Sequence, residues 1–214
     1  MIPLRDHNPS GRLPIITYFL ISINVIVFAA TFLLPSDILE EFFQQYALIP
    51  AFIVKGQNLY TLITSMFLHG GLGHIIGNML FLNIFGDNLE DKLGHIKYLL
   101  YYLVCGLGAS VLQILVDPGS TIPNLGASGA IAGIMGGYLV LFPRHRIDIL
   151  FSLGWAVRQV TVPAYFMLFY WLVIQFFAGV GSLAFMDPSM GGVAYFAHLG
   201  GFATGWLLIK IFRI

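Results

Sequence analysis

Residues 127–142 read ASGAIAGIMGGYLVLF, an apolar run rich in alanine and glycine. A bilayer core needs about 20 apolar residues per helix, so this run is short for a helix that faces lipid. Small residues let helices approach one another closely inside a membrane. We therefore expect residues 127–142 to form a helix in the middle of a bundle of membrane-spanning helices.

The composition of the whole chain agrees with a membrane protein. Hydrophobic residues make up 58% of the 214 residues, charged residues only 9%, and the mean hydropathy is +0.86. A soluble protein of this size carries a far more charged surface. The lipid bilayer is thus the expected surroundings of most of the chain. The net charge is zero, so nucleic acid is not an expected partner.

Six apolar runs approach the length of a membrane span, at residues 15–34, 72–85, 98–116, 127–142, 162–180 and 193–212. They predict an all-α membrane protein, a six-helix bundle that forms one domain over residues 15–214. Residues 1–14 are expected to be a cytoplasmic tail. The charged segment 87–97 and the basic segment 144–158 are expected to be loops.

The positive charges predict the orientation of this bundle. Six spans place both termini on one side, and nine of the ten lysines and arginines then lie on that side. Lys55 is the exception. Cytoplasmic loops of membrane proteins carry the excess of Lys and Arg. Both termini are therefore predicted to be cytoplasmic.

Few polar side chains fall inside the predicted spans. They include His74 and Asn78 in the second, Ser128 in the fourth and His198 in the sixth, whereas no Asp or Glu lies in any span. Polar groups at membrane depth are costly and mark function by default. On the six-span topology these four residues all lie in the outer half of the membrane. His74 and Asn78 are four residues apart and share a helix face.

Small residues surround two of these polar groups. Glycines flank Ser128, and small residues recur at helical spacing around His198, which lets the sixth helix pack closely on a neighbour. A serine on one helix and a histidine on another can then come within hydrogen-bond distance. The small residues predicted to pack near the site are Gly126, Gly129, Ala197, Gly201 and Gly205.

These residue types match the chemistry of a serine hydrolase. A serine hydroxyl is a weak nucleophile until a base takes its proton, and histidine suits that role near neutral pH. We therefore predict Ser128 as nucleophile and His198 as base. The oxyanion of the attacked carbonyl needs donors. His74, Asn78 and the backbone N–H of Ser128 are the candidates.

Other interpretations use the same residues. A serine in a membrane helix commonly bonds to its own helix, and a buried His or Asn often joins two helices. His74, Asn78 and His198 are also compatible with a channel or transporter, although no internal repeat supports one. An aspartyl protease needs acids at depth, and a zinc protease commonly carries His-Glu-x-x-His. Neither pattern is present, so no metal is expected.

Three motifs in order resemble the rhomboid family of intramembrane serine proteases. They are His69-Gly70-Gly71 followed by His74-x-x-x-Asn78, then Gly126-Ala127-Ser128-Gly129, then Ala197-His198-Leu199-Gly200-Gly201. They occupy the second, fourth and sixth predicted spans or the residues just before them. The resemblance matches Ser128 to the family's nucleophile and His198 to its base. It matches His74 and Asn78 to the residues near the oxyanion.

The resemblance also implies the setting of the reaction. Substrates are membrane proteins, cut within or next to a transmembrane helix, and the family needs no metal or organic cofactor. The active site opens towards the outer face in bacterial members, so a multi-pass protein of the bacterial inner membrane is expected. No oligomer is required. The alternative is a non-catalytic rhomboid-like protein that binds membrane clients, although such relatives typically lack the Ser or the His.

The chain departs from the family pattern at two places. Tyr60-Thr61 stand where many members have Trp-Arg in the first loop, which leaves the anchoring of that loop open. Ala132 stands where some members have a tyrosine that packs on the base. Another residue must then orient His198, and Tyr195 and Phe196 are the candidates.

Overall fold

The computed structural model describes residues 1–153, 156–185 and 192–212, and in this part the chain is mostly helical. Helices follow one another with short connections, and three strands form one small sheet. The elements are β1 (Ile2–Asp6), α1 (Ile15–Phe32), α2 (Ser36–Tyr46), α3 (Pro50–Ile53), α4 (Thr61–Thr64), α5 (Leu72–Leu93), α6 (His95–Val116), α7 (Ser128–Leu141), β2 (Arg146–Leu153), β3 (Ala156–Pro163), α8 (Ala164–Phe185) and α9 (Tyr195–Phe212).

Each of the six predicted apolar runs corresponds to a helix, namely α1, α5, α6, α7, α8 and α9. Among the described residues, three helices are long and apolar enough to cross a membrane, at Ile15–Phe32, His95–Val116 and Ala164–Leu183. Helix α7 is also apolar but has only 14 residues. Arg213, one of the cations in the charge argument, lies outside the described residues.

The prediction of an all-α protein was wrong at one end of the bundle. Strands β1, β2 and β3 form an antiparallel sheet in that order. The predicted tail 1–14 supplies β1, and the predicted loop 144–158 supplies β2 and the start of β3. Asp148 of β2 accepts hydrogen bonds from Arg5 (2.7 Å) and Thr161 (2.6 Å), which ties the outer strands to the central one.

The prediction of a loop at residues 87–97 was also wrong. Helix α5 continues to Leu93, and α6 begins at His95, so Gly94 (φ +74°) makes the whole connection. The charged residues of this segment have structural partners. Glu90 is buried and accepts hydrogen bonds from the backbone N–H groups of Ile16 and Thr17, both at 2.8 Å. A carboxylate at a helix N-terminus satisfies free N–H groups and the helix dipole, so Glu90 stabilises the start of α1.

Helix α7 lies at the centre of the bundle, as its composition predicted. Ten of its 14 residues are buried, and it packs most extensively against α9. The two backbones nearly touch at glycines. A Cβ atom placed at Gly201 would lie 1.9 Å from the carbonyl oxygen of Gly129, and one at Gly205 would lie 2.0 Å from that of Gly133. No side chain fits at these positions of α9.

We expect Gly201→Ala to lower the melting temperature of the detergent-solubilised protein. The added methyl group meets backbone, which cannot rotate away, and overpacking of this kind costs about 1–3 kcal/mol or more. The matched control is Gly181→Ala on α8, where no heavy atom of the described residues lies within 4 Å of the added Cβ. Alanine is the better helix former, so the control variant should melt at or above the wild-type temperature. Equal melting temperatures for the two variants would contradict the close α7–α9 packing.

A second prediction concerns Asp87, near the end of α5. Burial and the nearby Asp6 carboxylate raise the pKa of Asp87 from 3.8 to about 6. The folded state therefore binds the proton more tightly than the unfolded state, and stability falls as the pH rises from about 4 through 6. Solvent screens the charge of this partly exposed carboxyl, so the stability lost above pH 6 is on the order of 1–2 kcal/mol.

We expect Asp87→Asn to reduce the fall in melting temperature between pH 5 and pH 7.5. The asparagine keeps an acceptor oxygen for Asn88 but carries no charge. Glu41→Gln, at an exposed position of α2, controls for the loss of one negative charge. If the melting temperature of Asp87→Asn falls with pH as much as that of wild type, ionisation of Asp87 does not lower the stability of the protein.

Candidate active site

Ser128 and His198 meet in the structure, although 70 residues separate them in the sequence. The Ser128 hydroxyl oxygen lies 2.8 Å from Nε2 of His198. Ser128 is the first residue of α7, and His198 lies in the first turn of α9. The close packing of these two helices therefore sets the distance between the two side chains.

The backbone around Ser128 depends on the glycine two residues before it. Gly126 has φ +127°, a conformation that favours glycine, and its N–H donates to the Ser65 carbonyl at 2.9 Å. A Cβ at Gly126 would lie 2.7 Å from Nε2 of His74, so this position has no room for a side chain. The turn delivers Ser128 to the N-terminus of α7, where the first N–H groups have no acceptor within the helix.

Three of the small residues named in the sequence, Gly129, Gly201 and Gly205, lie where helices pack closely. Besides the Gly129–Gly201 and Gly133–Gly205 approaches, a Cβ at Gly129 would lie 2.5 Å from the Cβ of Ala109 on α6. The N–H of Ala197 donates to Oε1 of Gln113, a buried residue of α6, at 3.2 Å. Helix α6 thus holds the start of α9 through this hydrogen bond.

The residues that orient His198 come from α8 and were not predicted. Its Nδ1 lies 2.7 Å from Oε1 of Gln175, and its ring packs against Trp171 with the centroids 5.7 Å apart at 35°. Trp171 also stacks on Phe202. The candidates Tyr195 and Phe196 instead approach Gly179 of α8, within about 3.4 Å of a Cβ placed there.

A signal for these two residues was present in the sequence. Trp171 and Gln175 are four residues apart, so they share one face of α8. Gln175 is also a polar group inside a predicted span, which marks function by default. The amide of Gln175 carries no charge, so the sequence marks it less clearly than an acidic residue at the same depth.

His74 and Asn78 form a second polar group with His69, beside the turn at Gly126. Asn78 Nδ2 lies 2.9 Å from Nε2 of His69, and the rings of His69 and His74 lie 5.0 Å apart. His69 lies before α5. Burial is the larger cause that lowers the pKa of His69 to about 4, and the nearby His74 is the second. A neutral His69 can accept the Asn78 hydrogen bond. His69 belongs to a motif identified in the sequence, but its contact with Asn78 was not predicted.

A cleft of about 790 Å³ is lined by residues of both the Ser128–His198 pair and the His74–Asn78 group. It lies between α5, α7 and α8 and is bordered by the segment 122–125. Polar and apolar residues share its lining, with His74, Asn78, Ser128 and His198 among the former and Phe81, Ile131, Met135 and Trp171 among the latter. Within the described residues, no group of three His, Cys, Asp or Glu side chains is arranged to hold a metal ion.

The first loop is anchored without the Trp-Arg pair. The Tyr60 hydroxyl donates to the Gln45 carbonyl at 2.9 Å, and the buried Thr61 donates to the Asn58 carbonyl at 2.8 Å. One turn later, Thr64 donates to the Tyr46 carbonyl at 2.7 Å. The bonds of Tyr60 and Thr64 fix the segment before α5 to the end of α2.

The chain is similar to several plant proteins. It is 36% identical to RHOMBOID-like protein 4 of Arabidopsis thaliana over 156 residues, 73% of this chain and 34% of that protein. It is 34% identical to RHOMBOID-like protein 6, mitochondrial, over 73% of this chain and 44% of that protein. RHOMBOID-like protein 12, mitochondrial, is 30% identical over 87% of this chain and 57% of its own length. Both are from the same plant.

These relatives bear on two further points. The chain spans between about a third and somewhat more than half of their length. They are plant proteins, and two of them are named mitochondrial, so they give no support for a bacterial inner membrane. The apolar helices agree with an integral membrane protein.

The family comparison covers most of the chain. The Rhomboid domain family matches residues 56–214, which include all three motifs and every residue that surrounds the cleft. The three motifs, the Ser128–His198 contact and several relatives at 30% identity or more agree with this match. The chain belongs to the rhomboid family.

Proposed function

We propose that this protein is an intramembrane serine endopeptidase that cleaves peptide bonds within or next to transmembrane helices of other membrane proteins. The hydrogen bond of 2.8 Å between Ser128 Oγ and His198 Nε2 carries the proposal. A serine in a membrane helix usually bonds to its own backbone, as Ser182 does to the Gly179 carbonyl at 2.7 Å. Ser128 instead faces a histidine and a cleft.

The reaction follows from the positions of these groups. His198 Nε2 takes the Ser128 hydroxyl proton while Oγ bonds to the substrate carbonyl carbon, which gives a tetrahedral oxyanion. His198 then gives the proton to the leaving amine as the peptide bond breaks. Water, deprotonated in turn by His198, releases the acyl group from Ser128 and regenerates the enzyme.

The oxyanion has donors on two sides of the cleft. The backbone N–H of Ser128 lies at the N-terminus of α7, where the helix dipole also favours negative charge. Asn78 Nδ2 and His74 approach from α5, next to the turn at Gly126. Preorganised donors of this kind act strongly where water is excluded.

The cleft suits an unwound segment of a membrane helix. Its apolar side chains can take the side chains of a substrate, and its polar groups lie together at one place for the scissile bond. All the proposed catalytic groups belong to one chain, so we propose that a monomer is active. We further propose six spans with both termini cytoplasmic, on the charge asymmetry. A bacterial inner membrane stays a prediction from the resemblance alone.

We expect Ser128→Ala and His198→Ala to abolish cleavage of single-span reporter proteins reconstituted with the enzyme in liposomes. The first variant lacks the nucleophile and the second lacks the base. Ser182→Ala, which removes a hydroxyl that bonds to its own helix, should cleave at the wild-type rate. A fluorophosphonate probe should label wild type and Ser182→Ala but not Ser128→Ala. Cleavage by a folded Ser128→Ala variant would disprove the mechanism, and reporter binding without cleavage by wild type would favour the non-catalytic alternative.

We expect Asn78→Ala to lower kcat by on the order of 100-fold or more while KM changes little, because one oxyanion donor is lost. Single-turnover cleavage rates at saturating reporter provide the measurement. The matched variant is His69→Phe, which removes the partner of Asn78 but leaves its amide in place. A loss in His69→Phe as large as in Asn78→Ala would indicate that Asn78 acts only through His69. An unchanged kcat in Asn78→Ala would remove Asn78 from the oxyanion site.

A further inference from the structure

Gln175 is the buried polar residue of α8 that contacts the proposed base. Its side chain is 9% exposed, and its Oε1 lies 2.7 Å from His198 Nδ1, on the ring nitrogen opposite Ser128. Trp171, one turn earlier, packs against the same ring. The imidazole therefore has a hydrogen-bond partner at each nitrogen, and the Trp171 ring packs against it.

The two nitrogens of a neutral imidazole cannot both donate. The carbonyl oxygen of a glutamine only accepts hydrogen bonds, so its contact with Nδ1 requires the proton on Nδ1. The Nε2 lone pair then faces the Ser128 hydroxyl and can accept its proton. In the opposite tautomer, Nε2 would itself carry a proton and could not act as a base.

We propose that Gln175 is a positioning residue that fixes His198 in the Nδ1–H tautomer. This inference rests on the proposed function for its catalytic meaning, but the tautomer itself is a property of the resting protein. Gln175 is not among the described residues that line the cleft, and its contact is with Nδ1 of His198. Its effect on the reaction passes through His198.

The choice of an amide has a physical reason. In soluble serine proteases, a buried aspartate holds the histidine in the required tautomer. A carboxylate at membrane depth is costly, and no Asp or Glu lies in any predicted span of this chain. The Gln175 carbonyl dipole keeps the acceptor and avoids a net charge. It also accepts from Nδ1–H once His198 becomes an imidazolium ion during the reaction.

We expect nitrogen NMR of protein labelled with ¹⁵N-histidine to show His198 with a protonated Nδ1 and an unprotonated Nε2. The His198 signals are assigned by their loss in His198→Ala. Gln175→Leu and Gln175→Met, which lack the acceptor but keep an apolar side chain, should shift the population towards Nε2–H. Gln175→Glu keeps an acceptor oxygen and should retain Nδ1–H. An Nε2–H tautomer in wild type would overturn the proposal, and so would an unchanged tautomer in either folded apolar variant.

Kinetics provide the second readout. General base catalysis contributes about 10²–10⁴-fold, and we expect Gln175→Leu to lose part of it, with kcat lower by on the order of 10- to 100-fold and KM unchanged. Gln175→Glu should recover at least part of that loss. Phe177→Leu, at an exposed position two residues away on α8, controls for changes in the helix and should have wild-type kcat.

The two readouts separate failure of this inference from failure of the proposed function. If wild type does not cleave reporters, the proposed function fails, and the NMR result still decides the tautomer. If wild type cleaves and a folded Gln175→Leu variant has wild-type kcat, Gln175 does not position the base. A loss that Gln175→Glu does not reverse would indicate a packing role only and would also overturn the proposal.

Discussion

The rest of the site depends on the close packing of α7 against α9. Carbonyl oxygens of α7 occupy the space where side chains of α9 would lie, at Gly201 and Gly205. In a membrane there is little hydrophobic driving force between helices, so close van der Waals contact takes its place. The same contact brings the first residue of α7 to the first turn of α9. A stability requirement of the bundle and the distance between Ser128 and His198 thus have one cause.

The second constraint is the cost of charge at membrane depth. The polar groups around Ser128 are hydroxyl, imidazole, amide and backbone N–H groups, each neutral and each able to hydrogen bond. Asn78 has His69 as its partner, and His198 has Gln175. These hydrogen bonds use no carboxylate or ammonium ion and so avoid the desolvation of such ions, although Nδ1 of His69 is buried without a partner among the described residues. The Trp171 ring adds apolar contact on one face of the base.

Charged groups cluster at the other end of the bundle and do structural work there. Glu90 binds the N-terminus of α1, and Asn88 Nδ2 and the Tyr138 hydroxyl both donate to Asp6 of β1 at 2.8 Å. These two hydrogen bonds connect β1, and with it the sheet, to α5 and α7. Carboxylates accept these bonds at helix ends and in the sheet, outside the apolar runs. Hydrogen bonds to carboxylates thus stabilise one end of the protein, although the Asp87 charge opposes this, and hydrogen bonds among hydroxyl, imidazole and amide groups organise the other.

The sequence by itself determined the helices and the candidate residues. The apolar runs predicted six helices, and most of the predicted ends lie within a few residues of the observed ones. Helix α5 extends eight residues beyond its predicted end. The length of an apolar run cannot show that a helix continues through polar residues, such as Glu90, that have buried partners. The motifs identified Ser128, His198, His74 and Asn78 as candidate site residues, because polar side chains are rare in apolar runs. Only the tertiary structure decided which groups meet. The strand β1 needs β2, which is distant in sequence, and Gln175 reaches His198 only because α8 packs beside α9. No local pattern encodes contacts of that kind.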